Sequence, residues 1–161
     1  MAQTIINVKK DRLRYTKNKF SSTLMYLAIL FGVLYFVSIY ESDVNNYYYT
    51  YIICISVLCN LVFLLTAFLC SEGLKNYKMS YSYVSIVLGA FQLIRILGIP
   101  KNAHSTLTVV DGIEVPVMGE MQFTFVTLML VLSAFCCFAA GVIGIYKSVT
   151  LTRYIKENGL E

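Results

Sequence analysis

The sequence predicts an all-α integral membrane protein, a four-transmembrane-helix antiparallel bundle with a small outer β-hairpin between helices 3 and 4. Three observations predict this fold. Only 14% of the residues are charged and 58% are hydrophobic, whereas soluble domains carry about 25% charged residues. Four apolar segments are each long enough to cross a hydrocarbon core of about 30 Å. An Asp-Gly pair between two β-branched runs is the usual signal of a hairpin.

The four predicted spans cover most of the chain and define its domain organisation. None alternates like a barrel strand, and a helix satisfies its own backbone hydrogen bonds in lipid. The first apolar segment is too long for the central region of a cleaved signal peptide. Short connections make neighbouring helices antiparallel. The predicted spans are residues 20–40, 50–70, 81–99 and 122–146, in a membrane domain at residues 20–146 between tails at residues 1–19 and 147–161.

The lysines and arginines outside the spans are divided unequally between two sides of the membrane. Residues 1–19 contain six, residues 71–80 contain two and residues 147–161 contain three. The intervening connections are poor in them, with none in residues 41–49 and one in residues 100–121. Because these side chains favour the cytoplasmic side, we expect both chain termini to be cytoplasmic and the hairpin to lie outside.

The basic N-terminal tail carries Lys9, Lys10, Arg12 and Arg14 close to the first span. A polybasic segment in this position favours contact with anionic lipid of the inner leaflet, and we expect no nucleic-acid partner. The outer connections lack a glycosylation acceptor of the N-x-S/T type. Together with the charge asymmetry, this favours the plasma membrane of a bacterium as the location.

The predicted hairpin covers residues 106–117, with Asp111 and Gly112 in the turn. An Asp-Gly turn of type I′ places Val110 opposite Ile113. A lone two-stranded hairpin is marginally stable in water, so this one needs a surface to rest on. Two alternatives follow: a lid packed on the outer helix ends, or a docking surface for a partner.

Small and polar residues recur along one face of each predicted span. In lipid, such residues allow close helix approach and hydrogen bonds between helices. They predict the interior of a bundle, and the same faces would also serve a homodimer or a larger complex. The residues are Ala28, Gly32 and Tyr35; Ser56, Asn60 and Ala67; Ser85, Gly89 and Gln92; and Ser133, Cys137, Ala140, Gly141 and Gly144.

Three polar side chains stand out inside the spans: Asn60, Gln92 and Arg95. Asn60 lies near the middle of its span, where it could bond a neighbouring helix or line a polar path. Gln92 and Arg95 are three residues apart, so they share one helix face. Arg95 precedes Pro100 by about 7 Å of helix rise, which predicts a position in the outer part of the bilayer.

The nearest anions for Arg95, judged by topology, are Glu41, Asp43 and Glu120 at the outer ends of other helices. We expect Arg95 to reach outward to Glu120 or Glu41 and to tie two helices together, because an arginine near a membrane boundary lowers its cost by reaching toward water. The alternative makes Gln92 and Arg95 the floor of an outward-facing polar pocket, or a contact with a partner subunit or an anionic lipid.

Several classes of function are disfavoured by what the sequence lacks. No acidic residue lies within a span, which argues against a proton-coupled exporter. The five cysteines lie in or at the ends of spans without a C-x-x-C pair, which disfavours a thiol oxidoreductase and an outer disulfide. His104 is the single histidine, so we expect no metal site, and we expect no other cofactor.

The function that this pattern favours is non-enzymatic. We expect a polytopic membrane protein that acts by association, as an accessory or regulatory subunit of a membrane complex or as a homo-oligomer. The alternative is a small channel or carrier for an anion or polar solute, with Asn60, Gln92 and Arg95 lining the path. A membrane enzyme ranks third.

Overall fold

The computed structural model describes residues 18–39, 47–110 and 112–157. The predictions on the N-terminal tail, Glu41, Asp43 and Asp111 therefore lie outside the described residues. Within them, four helices are long and apolar enough to cross a membrane, which confirms the predicted number of spans and indicates a multi-pass helical membrane protein. The elements are α1 (Lys19–Ile39), α2 (Tyr47–Lys75), α3 (Met79–Ser105), β1 (Leu107–Val110), β2 (Ile113–Pro116) and α4 (Glu120–Glu157).

The helices are antiparallel to their neighbours, as the contacts between them show. The start of α1 meets the end of α2 where Ser22 Oγ lies 2.8 Å from Ser71 Oγ. The end of α1 meets the first half of α2 where Tyr35 Oη lies 3.1 Å from Ser56 Oγ. We call the end of the bundle at the α2–α3 connection the turn end, and the opposite end, which carries β1 and β2, the strand end.

The α2–α3 connection is shorter than the ten-residue loop expected at residues 71–80. It closes through hydrogen bonds from Lys78 N to Gly73 O and from Tyr77 N to Leu74 O, each 3.1 Å. This pair of bonds is the Schellman arrangement, which places its penultimate residue in the left-handed region. Tyr77 has a φ of 55°, a conformation that costs a residue with a Cβ about 1–2 kcal/mol. Burial also raises the pKa of Tyr77.

α3 continues past the predicted end at Ile99, so the expectation that the outer loop begins at Pro100 was wrong. Pro100 lies inside the helix and is buried. A proline removes its own backbone donor, and helices in membrane proteins tolerate this loss when neighbours satisfy the freed groups. The helix ends where Thr106 N and Thr106 Oγ1 both donate to Asn102 O, at 3.1 Å and 2.8 Å.

α4 also extends beyond its predicted span of residues 122–146 and reaches Glu157. Its length of 38 residues corresponds to about 57 Å at 1.5 Å per residue, far more than a bilayer core requires. The extra turns pack on the turn end, where Ser148 Oγ donates to Tyr77 O at 3.1 Å and Leu151 is buried. The membrane helix therefore supports the α2–α3 connection with its own extension.

The interior holds two apolar clusters, one toward each end of the bundle. The turn-end cluster includes Met25, Phe63, Cys70 and Leu74. The strand-end cluster includes Ile39, Ala103, Met118, Val126 and Leu130. On α3 and α4, the polar residues Gln92, Arg95 and Ser133 fall between the positions that these two clusters take, and Asn60 of α2 precedes the turn-end residue Phe63 by three positions. The outward faces carry exposed aliphatic and aromatic side chains, including Leu30, Leu58, Leu65, Val87, Ile94, Phe135 and Val142.

β1 and β2 pair as two antiparallel strands, with Val110 opposite Ile113 and Leu107 opposite Pro116. Gly112 has a φ of 79°, the positive value that a tight turn demands of a central residue. Beyond the strands, Val117 N donates to Thr106 O at 3.0 Å. Val117 and Met118 are buried at the base of this two-stranded ribbon, whereas Val109 and Ile113 are each 67% exposed.

Candidate functional site

A layer of buried polar side chains crosses the bundle between the two apolar clusters. α1 contributes Tyr35, α2 contributes Asn60, α3 contributes Gln92 and Arg95, and α4 contributes Ser133. All five are buried. Each belongs to the small and polar face that the sequence shows on its helix, or lies beside it, so the layer forms because all four faces point to the same axis.

One end of the layer is a hydrogen-bond chain that links three helices. Gln92 Nε2 donates to Ser133 Oγ at 3.1 Å. Ser133 Oγ in turn donates to the backbone oxygen of Ala28 at 3.0 Å. The α1 carbonyl lies at a small residue, so a side chain from α4 can approach it closely. Gln92 therefore has its amide nitrogen fixed, and its amide oxygen turns toward Arg95.

Arg95 occupies the centre of the layer. Its Nη1 donates to Gln92 Oε1 at 2.9 Å and to Asn60 Oδ1 at 3.3 Å. Its guanidinium carbon lies 4.6 Å from the centroid of the Tyr35 ring and 5.9 Å from that of Phe91. A desolvated cation over an aromatic face gains about 2 kcal/mol. Two amide oxygens and an aromatic face thus surround a guanidinium that is only 4% exposed.

The expected ion pair between Arg95 and Glu120 is wrong. Glu120 Oε1 instead lies 3.6 Å from His104 Nε2, and its side chain is 86% exposed. The direction of α3 explains the difference: helical side chains lean toward the N-terminus of their helix, and α3 starts at the turn end. Arg95 therefore leans away from the strand end, where Glu120 lies, and meets Gln92 one turn earlier.

The position of Arg95 along its helix also differs from the expectation. Because α3 runs on to Ser105, Arg95 lies about 15 Å from the last residue of its helix at 1.5 Å per residue. It is close to the middle of α3 and not near its end. A central arginine costs roughly 3 kcal/mol on insertion scales, so the surrounding layer must compensate the charge.

Three nitrogen atoms in the layer have no hydrogen-bond partner among the residues that the structure describes. They are Nε and Nη2 of Arg95 and Nδ2 of Asn60. Leaving a buried donor unpaired costs about 1–3 kcal/mol, and more when the group is charged. The layer is therefore rich in donors and short of acceptors, an imbalance that composition and spacing do not reveal.

The chemistry that this arrangement offers is the binding of a polar or anionic group. Within residues 18–39, 47–110 and 112–157, the carboxylates lie toward the ends of helices or on the ribbon, and no group of three or more His, Cys, Asp or Glu side chains could hold a metal ion. The layer presents a guanidinium, two amides and hydroxyl groups. Such groups recognise anions and polar solutes through N–H donors.

The contacts of His104 at the strand end were not predicted from the sequence. His104 Nδ1 donates to Met118 O at 3.1 Å, and its ring stacks on Phe123 with centroids 4.6 Å apart. These contacts tie the end of α3 to the start of α4 beneath the ribbon. A histidine at the end of one helix and an acid at the start of the next were visible in sequence, but their proximity required the late end of α3.

Other polar and reactive groups form ties or packing contacts. Asn18 Nδ2 donates to Leu74 O at the turn end. Cys70 and Cys137 are buried in the turn-end cluster as free thiols. A groove of about 550 Å³ at the strand end is lined by Ser38, Gly119, Met121, Gln122 and Phe125; Gln122 Nε2 there donates to Ser38 O at 2.7 Å.

The predicted packing glycines Gly32, Gly89, Gly141 and Gly144 are all buried inside the bundle. At Gly141, a Cβ would lie 2.6 Å from Ile86 Cγ1 and 2.8 Å from Ser82 O. The small faces therefore pack against other helices of the same chain, and this packing removes them from consideration as a homodimer surface.

Comparisons of the chain with protein-family models, with curated proteins and with solved structures gave no match.

Proposed function

We propose that this chain is a non-enzymatic multi-pass membrane protein that acts by association, as an accessory or regulatory subunit of a membrane complex or as a homo-oligomer. The observation that carries the proposal is the apolar ribbon of β1 and β2. Leu107, Val109 and Ile113 on this ribbon are exposed, although a two-stranded ribbon is only marginally stable by itself.

The ribbon fits a docking surface better than a lid. Val109 and Ile113 are exposed, whereas Val117 and Met118, which follow β2, are buried. A two-stranded sheet is marginal in water, and its free edges can pair with another strand. An extended segment of a partner membrane protein that adds a strand to this edge would cover the apolar side chains and supply main-chain hydrogen bonds.

The proposed threading places the ribbon outside and both termini in the cytoplasm. Lys75, Lys78, Lys147, Arg153 and Lys156 all belong to the turn end or to the α4 extension beyond it, and such residues favour the cytoplasmic side. The basic tail at residues 1–19 would then meet anionic lipid of the inner leaflet. We assign the protein on this basis to a plasma membrane of bacterial type.

A photo-crosslinking amino acid at Val109 tests the association in native membranes. The matched control is Val87, which has the same exposed fraction of 67% but lies on the outward face of α3. We expect Val109 to form discrete protein adducts and Val87 to form lipid adducts. An adduct of twice the chain mass indicates a homo-oligomer, and another mass indicates a heteromeric partner.

The double substitution Val109→Asp and Ile113→Asp should abolish association through the ribbon. It should not unfold the bundle, because both side chains are exposed. Co-purification and the thermal midpoint measure the two effects separately. Association through the ribbon is refuted if a probe at Val109 yields no more protein adduct than one at Val87.

A second candidate function is a small channel or carrier for an anion or polar solute. The donor-rich layer around Arg95 favours it, because a path lined by unpaired N–H groups selects for anions. Chloride flux from liposomes containing the purified protein tests the idea. Arg95→Gln should abolish the flux, whereas Lys101→Gln, an exposed control with the same change in charge, should retain it; the absence of wild-type flux would rule the function out.

A further inference from the structure

The unpaired nitrogens of Arg95 form one complete edge of its guanidinium. The group has five N–H bonds in a fixed planar fork. Both N–H bonds of Nη1 are directed to amide oxygens, those of Gln92 and Asn60. Nε and Nη2 remain, and both are buried without a partner in the described part of the chain. This is the edge whose parallel N–H bonds bind a carboxylate or another anion in bidentate fashion.

A third donor belongs to the same cluster. Asn60 accepts from Arg95 through Oδ1, while Nδ2 of the same amide group has no partner. Accepting from Arg95 fixes the orientation of this amide, so its nitrogen must stay in the layer as a donor. Every unpaired atom at this point of the bundle therefore donates, and the site calls for an acceptor.

The charge in the layer also indicates that an acceptor is missing. A guanidinium keeps its positive charge inside proteins. Removing such an ion from water is costly even after relaxation, and the face of the Tyr35 ring offsets only part of that cost. No carboxylate among the described residues approaches Arg95. A neutral acceptor would satisfy the N–H bonds, but only an anion would also balance the charge.

We propose that a small inorganic anion such as chloride binds in the middle of the bundle, held by the Nε–Nη2 edge of Arg95 with the amide nitrogen of Asn60 as the additional donor. Because Arg95 is 4% and Asn60 is 1% exposed, a small ion suits the site better than a lipid headgroup. The anion acts as a resident part of the fold. This binding is independent of flux, because a bound ion balances the charge whether or not it moves.

Thermal unfolding of the purified full chain in detergent tests the site. Chloride is varied against gluconate at constant ionic strength, so that screening does not change. A thiol-reactive dye reports unfolding through Cys70 and Cys137, which are buried in the folded bundle. We expect the midpoint temperature of the wild type to rise with chloride and to saturate.

Two variants and one control connect this response to the layer. Arg95→Gln removes the charged edge, and Asn60→Asp places a carboxylate beside the guanidinium in nearly the same volume. Either change should weaken the chloride response at least tenfold, and Asn60→Asp should also raise the midpoint in gluconate. Lys101→Gln, exposed at the strand end, should leave the wild-type response unchanged.

Three results would overturn the proposal. One is a wild-type midpoint that does not depend on chloride. Another is an Asn60→Asp protein that responds like the wild type, which decides the matter even if Arg95→Gln fails to fold. The third is the lack of anomalous bromide density in contact with Arg95 Nε and Nη2 in wild-type crystals grown with bromide, a measurement that requires no variant.

Discussion

At the scale of single residues, the direction of a helix decides which partner a buried arginine meets. The sequence places Arg95 within reach of acids at the strand end, and reaching outward would lower its cost in lipid. α3 runs toward that end, however, and its side chains lean back toward its own start. Arg95 consequently bonds Gln92 and Asn60 and stacks on Tyr35.

The hydroxyl of Tyr35 offers a test of the layer at this scale. Tyr35→Phe keeps the ring that faces Arg95 and removes the bond to Ser56 Oγ. Because hydrogen bonds between membrane helices average about 0.6 kcal/mol and reach about 1.7 kcal/mol, we expect a loss of that size in the free energy of unfolding. A double-mutant cycle with Ser56→Ala in detergent measures the coupling.

Tyr83→Phe is the matched control for this measurement, since Tyr83 is exposed on α3. Its free energy of unfolding should change by less than about 0.5 kcal/mol. Equal losses at Tyr35 and Tyr83 would contradict the hydrogen bond.

At the scale of the elements, close packing of α3 against α4 sets the geometry of the bundle. Gly141 lies against Ser82 O and Ile86, and Ser85 Oγ donates to Cys137 O at 2.8 Å one turn away. These contacts fix the relative position of the helices that present Gln92, Arg95 and Ser133. The small residues of α4 thus determine whether the polar layer can form.

Gly141→Ala tests this packing. Its Cβ would meet a backbone oxygen that cannot move by itself, so we expect a loss of about 1–3 kcal/mol in the free energy of unfolding. The control is Gly98→Ala on α3, where a Cβ meets nothing within 4 Å. Alanine favours helix over glycine by up to about 1 kcal/mol, so this variant should be unchanged or more stable.

Chemical unfolding in detergent measures the free energy of unfolding of both alanine variants. The proposed role of Gly141 fails if its variant is as stable as the Gly98 variant.

At the scale of the whole molecule, a polar layer lies between two apolar clusters, and the exterior of the helices is apolar. The clusters supply packing, while the layer specifies which helix faces must meet. A donor in the layer that finds no acceptor is costly in lipid, so a rotated or shifted helix would lose several bonds together. The layer therefore favours one arrangement of the four helices over others with equal hydrophobic burial.

Four spans require both chain ends to lie on one side of the membrane. A tag at each terminus should react with an impermeant probe from the same side, and a cysteine introduced at Gly112 in the ribbon should react from the opposite side. Labelling of intact cells and of inverted vesicles measures which positions react from each side of the membrane. Termini that react from opposite sides would disprove four crossings.

The sequence by itself determined the number of spans and the faces that turn inward. Hydrophobicity over about 20 residues is a local property, so the four spans could be read directly. The inward-facing positions of Ala28, Gly32, Gln92 and Ser133 can likewise be identified from the period of a helix alone. The sequence identified Asn60, Gln92 and Arg95 as candidate site residues, but it did not predict the contacts among them.

Only the tertiary structure decided the partners and the helix ends. Whether Arg95 meets Glu120 or Asn60 depends on the direction of α3 and on its axial position against α2, neither of which a single helix encodes. α3 and α4 exceed their predicted ends because His104 and Ser148 find contacts on other elements. Those contacts stabilise helical turns that hydrophobicity alone does not predict. Because α3 is longer than predicted, Arg95 lies nearer its centre than its end.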